Sequence, residues 1–452
     1  MSHCTANKKA TSAFVRRNSI PTTGAVAKAL FNSAIGIDVH HDILVCAYQY
    51  CNRESDEITT EVCSFGTTAS ELAKFTDWCR NHHPEQILME STGVLWFSPY
   101  EALESVGFTN RQLSLINARD FKAIVGRKSD KQDAERLALY ARIGNVRSSF
   151  VPAKCFREMR AVSRLLSKTT DEQSRARSRY LKTLNFIGCR ASSVFSDVRG
   201  KAATAILEVL AEGTREQLID AIKIHGRRLR KSAAEILDAL DFAVSPAMAM
   251  QLRIQKQHME ALSQTCEELY ALLKVMQANY QPWINRLMTV PGIKERAARV
   301  IFAEVTNDPD AAHLASWVGV CPGTMESAGK RYSGRAAKGN RYLRRILVEC
   351  SQAIGLMRKG ALYSLFQAFK ERKGTRRAVV AMAHHLVKII YCLFTKGGNF
   401  EAQSTDALTK VRKQKYLSAV ANIKKQNFEI LTSGSLVDKA TGAITTVDPM
   451  TV

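Results

Sequence analysis

No two cysteines in this chain are spaced as Cys-x-x-Cys, and none of its 11 cysteines falls at zinc-ligand spacing. That excludes a patterned zinc site, and an odd number of scattered thiols fits a reducing compartment. The N-terminal stretch MSHCTANKKATSAFVRRNS carries charge but no apolar core, so no secretory signal is expected. Long hydrophobic runs are scarce as well. The longest, Ala378 to Phe394, is interrupted by His384, His385 and Lys388, and no membrane span is expected. Acid is in short supply: 42 Asp and Glu stand against 65 Lys and Arg, leaving +23 and an isoelectric point near 9.7. A surplus of that size predicts a polyanionic partner, nucleic acid before a membrane surface. With 452 residues, 46% of them apolar, the chain is long enough for two or three domains with cores of their own.

The basic surplus is concentrated after one short stretch. Cys321 to Lys330 reads CPGTMESAGK, and RYSGRAAKGNRYLRR follows from Arg331 to Arg345. Lys330, Arg331, Arg335, Lys338, Arg341 and Arg344 stand there without one acid after Glu326, a composition suited to phosphate. Ser327 precedes Ala328-Gly329, small residues that let another backbone come close. By its residues alone the string reads equally as a solvated basic loop with a turn serine.

Residues 1–32 are polar and basic, expected to form a mobile arm. From Ala34 the pattern changes. AIGIDV, ILVCAYQY and EITTEVCSF read as three successive strands, ASELAKFTDWCRNHH as a helix, QILMEST as a fourth strand, WFSPYEALESVG as a helix and RQLSLIN as a fifth strand. DKQDAERLALYARIG closes a domain over 33–152 as a helix with Ala134 and Leu137 inward. The order is that of a ribonuclease-H-like α/β domain: a mixed sheet with helices on both faces. It puts Asp38 at the end of the first strand, Glu90 at the end of the fourth, and Asp130 and Asp133 on one face of the last helix. Carboxylates converging at one sheet end suit hard divalent cations. Singly, Asp130 and Asp133 also read as acids favoured at a helix N-terminus, and Asp42 as a turn residue or an alternative ligand.

A helical connector is expected over 153–285. Its first helix carries Arg157, Arg160 and Arg164, read as a backbone-tracking basic face or a solvated one. Its last carries a heptad, with Leu252, Met259, Cys266 and Leu273 at one position and Leu262, Leu269 and Met276 at the other. That seam pairs either between chains or with the earlier basic helix in an antiparallel hairpin. Val290-Pro291-Gly292-Ile293 reads as a helix-hairpin-helix turn or a plain helix-helix turn. The mostly helical 286–400 region carries Ser327, and 401–452 is expected to be a mobile tail.

GIDV with Asp38, LMEST with Glu90 and KSDKQDAERLA with Asp130 and Asp133 resemble the DEDD-type transposases of bacterial insertion sequences. VPGI, ASWVGVCPG, ESAGK and KGNRYLRRIL are similar to the second domain of the same family, the one-ten family of bridge-RNA-guided recombinases. The resemblance spans residues 34 to 400. It implies a RuvC-like domain holding Mg2+, two ions per site, through Asp38, Glu90, Asp130 and Asp133. It also implies Ser327 as the nucleophile, forming a covalent phosphoserine link to DNA. A structured bridge RNA pairing with donor and target DNA, and a homo-oligomer (dimer or tetramer) with shared active sites, belong to the same expectation. So does a bacterial cytoplasmic, nucleoid-associated location. Two other functions fit the residues: a metal-dependent junction nuclease without a covalent intermediate, and a non-catalytic RNA- or DNA-binding protein.

Overall fold

In the strand Ser33–Val39 (β2) every residue is buried, because helices cover both faces of the sheet at this point. The computed structural model describes residues 14–17, 29–52, 54–55, 57–91, 93–117, 129–144, 148–195, 200–212, 214–226, 229, 231–240, 242, 244–305, 311–321, 325–327, 330–333, 338–401, 407–430 and 435–445. The chain divides into two units, Met1–Lys154 and Cys155–Val452.

The first unit is built on a six-stranded sheet: β1 (Phe14–Arg17), β2, β3 (Ile43–Cys51), β4 (Ile58–Gly66), β5 (Gln86–Ser91) and β6 (Leu113–Asn117). Its order is β1-β4-β3-β2-β5-β6. Strands β2, β3 and β4 form an antiparallel meander, while β2–β5 and β5–β6 are parallel. Helices α1 (Ala69–His82) and α2 (Phe97–Ser105) cover one face, where Phe75, Cys79, Tyr100 and Leu103 meet Ile35, Ile37, Ile87 and Met89. Helix α3 (Asp130–Ile143) covers the other, burying Leu137 and Ala141 against Ala34 and Leu88, and Ala134 and Ala138 against Val45 and Ala47. Its start is capped by Ser129, whose hydroxyl accepts from the Gln132 amide. The strand β1 lies within the segment expected to be a mobile arm; it adds antiparallel to the free edge of β4, Phe14 opposite Val62.

The second unit is mostly helical. Helix α4 (Lys154–Phe186) is followed by α5 (Ala191–Val194), α6 (Lys201–Glu212), α7 (Arg215–His225), α8 (Ala233–Leu240) and α9 (Pro246–Met276). Next come α10 (Gln281–Met288), α11 (Glu295–Glu304), α12 (Ala311–Val318), the hairpin β7 (Met325–Ser327) and β8 (Lys330–Ser333), α13 (Arg341–Gly355), α14 (Ala361–Lys373) and α15 (Thr375–Lys396). Helices α4 and α9 run antiparallel: Thr170 lies 3.9 Å from Cys266, and Gln255 donates to Thr183 at 3.1 Å. The heptad seam is therefore satisfied within the chain.

With 33 residues, α4 is about 50 Å long, too long for one core. One end of the α4–α9 pair packs with α5 to α8, through Tyr180, Leu184 and Leu252. The other end, through Met159, Leu166 and Leu273, enters the core that α10 to α15 share. The first of these cores lies wholly within 153–285, and the second is shared between that segment and 286–400.

Helix α15 is long and apolar enough to cross a membrane by composition, and its Met382, Leu386, Val387 and Ile390 face this core. The region expected to be a mobile tail contains α16 (Ala407–Lys425) and a small sheet of β9 (Phe428–Ile430), β10 (Leu436–Asp438) and β11 (Ile444–Thr445). Arg412 anchors α16 to Glu371 of α14 at 3.1 Å.

Candidate active site and nucleic-acid interface

Gly36 decides where α3 sits. A Cβ there would lie 2.2 Å from both the Ala134 carbonyl and the Ala138 amide, so only glycine lets the helix backbone down onto β2. Alternation along the strand places Asp38 on the same face as Gly36, and Asp130 lies one turn before Ala134. The parallel partners Ile37 and Met89 are each followed by an acid, Asp38 and Glu90, both buried at the C-terminal ends of their strands. The sheet and α3 thus assemble what the sequence leaves far apart.

The convergence is tightest at Asp38, His40 and Asp130, which offer ligand atoms within 4.8 Å of one another. His40 Nε2 is 3.1 Å from Asp38 Oδ2 and 3.8 Å from Asp130 Oδ1. Burial pushes the Asp38 carboxyl above its usual range; His40 opposes this, and the charges of Asp130 and Asp133 add to it. A buried carboxylate crowded by two others is stabilised by a cation among them, so the donor set fits a divalent metal. Asp133 is half-buried and paired with Arg136 at 3.3 Å, and neither it nor Glu90 is in the tight group of three. Asp42 is an exposed residue of the β2–β3 turn, paired with its neighbour His41. His40 was not among the expected ligands, although it lies two residues beyond Asp38 and so on the same strand face.

In the second unit, Ser327 ends β7 opposite Lys330 of β8, and Glu326 lies opposite Arg331, with an irregularity between Met325 and Glu326. The serine thus occupies a hairpin where the composition suggested a loop. Arg335 lies outside the described residues. Lys338 and Arg341 are exposed and Arg344 half-buried, around the N-terminus of α13. Asn340 caps that helix, accepting from the Tyr342 and Leu343 amides. Gly339 lets the chain press onto the end of α12: a Cβ there would lie 2.4 Å from the Gly319 amide, and Asn340 donates to the Trp317 carbonyl at 2.8 Å.

Arg157, Arg160 and Arg164, expected on a phosphate-tracking or a solvated face, differ in how far the helical unit encloses them. Arg157 is 4% exposed. Arg160 donates to the Ala303 and Glu304 carbonyls at 3.2 and 2.6 Å. Arg164 grips the Glu304 carboxylate, which has no exposed surface and also accepts from Asn340 at 2.7 Å. Burial lowers Arg160 to about 10, whereas its hydrogen bonds to Glu304 raise Arg164. A buried carboxylate needs such partners, and here Arg160 and Arg164 supply them. In the Val290–Ile293 turn Val290 and Ile293 are buried and Pro291 is exposed, and a Cβ on Gly292 would lie 2.7 Å from Ile354.

Residues 35–188 match the DEDD-type IS110 family model described as transposase. Residues 284–366 match the model of the transposase IS116/IS110/IS902 family. Among curated proteins, the uncharacterised 43.6 kDa protein of insertion element IS110 from Streptomyces coelicolor is 25% identical over 228 residues, covering 45% of this chain. The chain spans about half the length of that relative, 54%. Two matches in family order, the first beginning in the sheet and the second lying in the helical unit, settle the class: this chain belongs to the IS110 family of insertion-sequence transposases.

Proposed function

We propose that the protein is a DNA transposase and recombinase of an insertion sequence. The observation that carries this reading is the placement of Asp38 beside Glu90 on paired parallel strands, with α3 bringing Asp130 to the same end. The strand order and the helices on both faces support a RuvC-like fold. Asp38, Glu90, Asp130 and Asp133 would hold divalent cations, Mg2+ in two sites. Bound there, such ions supply Lewis-acid polarisation of a phosphodiester oxygen.

Ser327 is the proposed nucleophile. Its hydroxyl oxygen bonds to phosphorus as one phosphorus–oxygen bond of the DNA strand breaks, and the departing sugar oxygen takes up the proton that serine loses. The serine ester keeps the bond energy for rejoining, which hydrolysis would discard. Lys330, Arg331, Arg335, Lys338, Arg341 and Arg344 neutralise phosphates of the bound nucleic acid. A bridge RNA pairing with donor and target DNA is the proposed source of sequence choice, and a homo-oligomer with shared sites the proposed assembly. Acting on DNA places the protein in the cytoplasm, at the nucleoid.

Incubation of the purified particle with insertion-end DNA, with and without excess chelator, tests this. Strand cleavage that stops in chelator and in Asp38→Asn supports the reading. Undiminished cleavage in chelator contradicts the metal site.

A further inference from the structure

Asp38 lies in β2 and His40 is the first residue beyond it, two positions on, so the period of two carries both side chains to the face that α3 covers. The turn after β2 is short and closed, with the His40 amide donating to the Ile43 carbonyl at 3.0 Å. The imidazole is therefore carried on a fixed backbone. Its Nε2 lies 3.1 Å from Asp38 Oδ2 and 3.8 Å from Asp130 Oδ1. Two ligands about 2.1 Å from one cation and at right angles to each other are about 3.0 Å apart. The His40–Asp38 separation has that span, and the three ligand atoms together stay within 4.8 Å.

We propose that His40 Nε2 is itself a ligand of the cation held by Asp38 and Asp130, giving a mixed nitrogen–oxygen site that prefers Mn2+ to Mg2+. The inference rests on the metal-site reading above and adds to it a ligand of a different kind. Carboxylate and water suit Mg2+, which dehydrates reluctantly and demands near-octahedral geometry. An imidazole nitrogen is a softer donor and favours transition ions. A histidine that merely hydrogen-bonds Asp38 from outside would leave the preference with the carboxylates.

The test uses the full-length protein and Mn2+ alone as probe. Electron spin-echo spectra of bound Mn2+ should show coupling to an imidazole nitrogen, retained in His41→Gln and lost in His40→Gln. Calorimetric titration of His40→Gln should show Mn2+ binding weakened at least about tenfold, with Mg2+ affected less. His40→Asp, an all-oxygen set, should narrow the Mn2+ to Mg2+ ratio. Because the His40 side chain is 41% exposed, thermal melts of these variants should match the parent.

Mn2+ bound with no nitrogen coupling, or with coupling that survives His40→Gln, overturns the ligand assignment. Loss of Mn2+ binding in Asp38→Asn shows in that case that the carboxylate site stands. Absence of Mn2+ binding by the parent protein overturns both.

Discussion

Arg164 and Glu304 meet in a two-point ion pair, with Nε donating to Oε1 at 2.7 Å and Nη2 to Oε2 at 2.8 Å. The carboxylate is fully buried, and Asn340 completes its hydrogen bonds from the N-terminus of α13. One acid at the end of α11 thereby ties α4 to the segment that begins the basic helix. Removing Glu304 leaves Arg160 and Arg164 without their carboxylate, and water reaches Arg164, whose side chain is 37% exposed. Glu304→Ala should therefore lower the free energy of unfolding by less than the loss of a fully buried pair, about 2–4 kcal/mol in urea titrations. A loss below about 1 kcal/mol would mean that water replaces the carboxylate and the tie is weak.

Gly36→Ala should separate the acids without touching any of them. The added methyl meets backbone atoms of α3, which cannot turn aside as a flexible side chain can. Overpacking of this kind costs about 1–3 kcal/mol, and relief requires α3 to lift away from β2. The expected outcome is a lower melting temperature together with weaker Mn2+ binding by titration calorimetry. Unchanged metal affinity would place Asp130 outside the site.

Binding to nucleic acid should separate the exposed cations from the internal ones. Neutralising Lys338, Arg341 and Arg344 together should flatten the log–log salt dependence by about 0.9 for each duplex phosphate that is no longer neutralised. Arg157→Gln should leave the slope unchanged and lower the melting temperature, because that side chain is 4% exposed. Fluorescence anisotropy over a salt series measures the slope. A slope that falls in Arg157→Gln would return the α4 arginines to the interface.

Stability should fall on acidification through His384 and His385. Burial, then the charge of Lys388, lowers both below the ordinary imidazole value. The unfolded chain therefore binds protons first as pH drops, so stability is present above the unfolded value and lost through the lower folded values. Between about pH 7.5 and about pH 5.5 the parent should lose more melting temperature than the His384→Gln, His385→Gln double variant. Equal losses would assign the acid sensitivity to other groups. His384 also lies 3.7 Å from Cys321, the last described residue before the serine hairpin.

The acid pattern is legible in the sequence because a sheet obeys simple geometry. Strand order puts Asp38 and Glu90 at the ends of neighbouring strands and helix spacing puts Asp130 and Asp133 on one face, and the structure brings Asp130 to Asp38. His40 is harder to see because a histidine beside a hairpin turn reads as surface; the period of two that places Asp38 places it too. The surroundings of the α4 arginines are hidden for a different reason. Counting charge along a helix says nothing about burial, and their partner Glu304 lies 140 residues beyond Arg164. The strand Phe14–Arg17 and helix α16 are likewise hidden, since an edge pairing and a docked helix depend on surfaces supplied by distant segments. The heptad of α9 is visible, but only the fold shows that α4 receives it.

In the proposed chemistry Ser327 joins DNA covalently in a reaction dependent on the Asp38 cluster. The direct measurement is to incubate the native particle, with its co-purified RNA, with insertion-end DNA and a divalent cation. The protein is then denatured and digested, and the residue bearing a nucleotide remnant is mapped by mass spectrometry. A remnant is expected on Ser327 alone, absent from both Ser327→Ala and Asp38→Asn. A remnant on any other serine, an adduct surviving in Ser327→Ala, or cut DNA with no protein attached would contradict that chemistry.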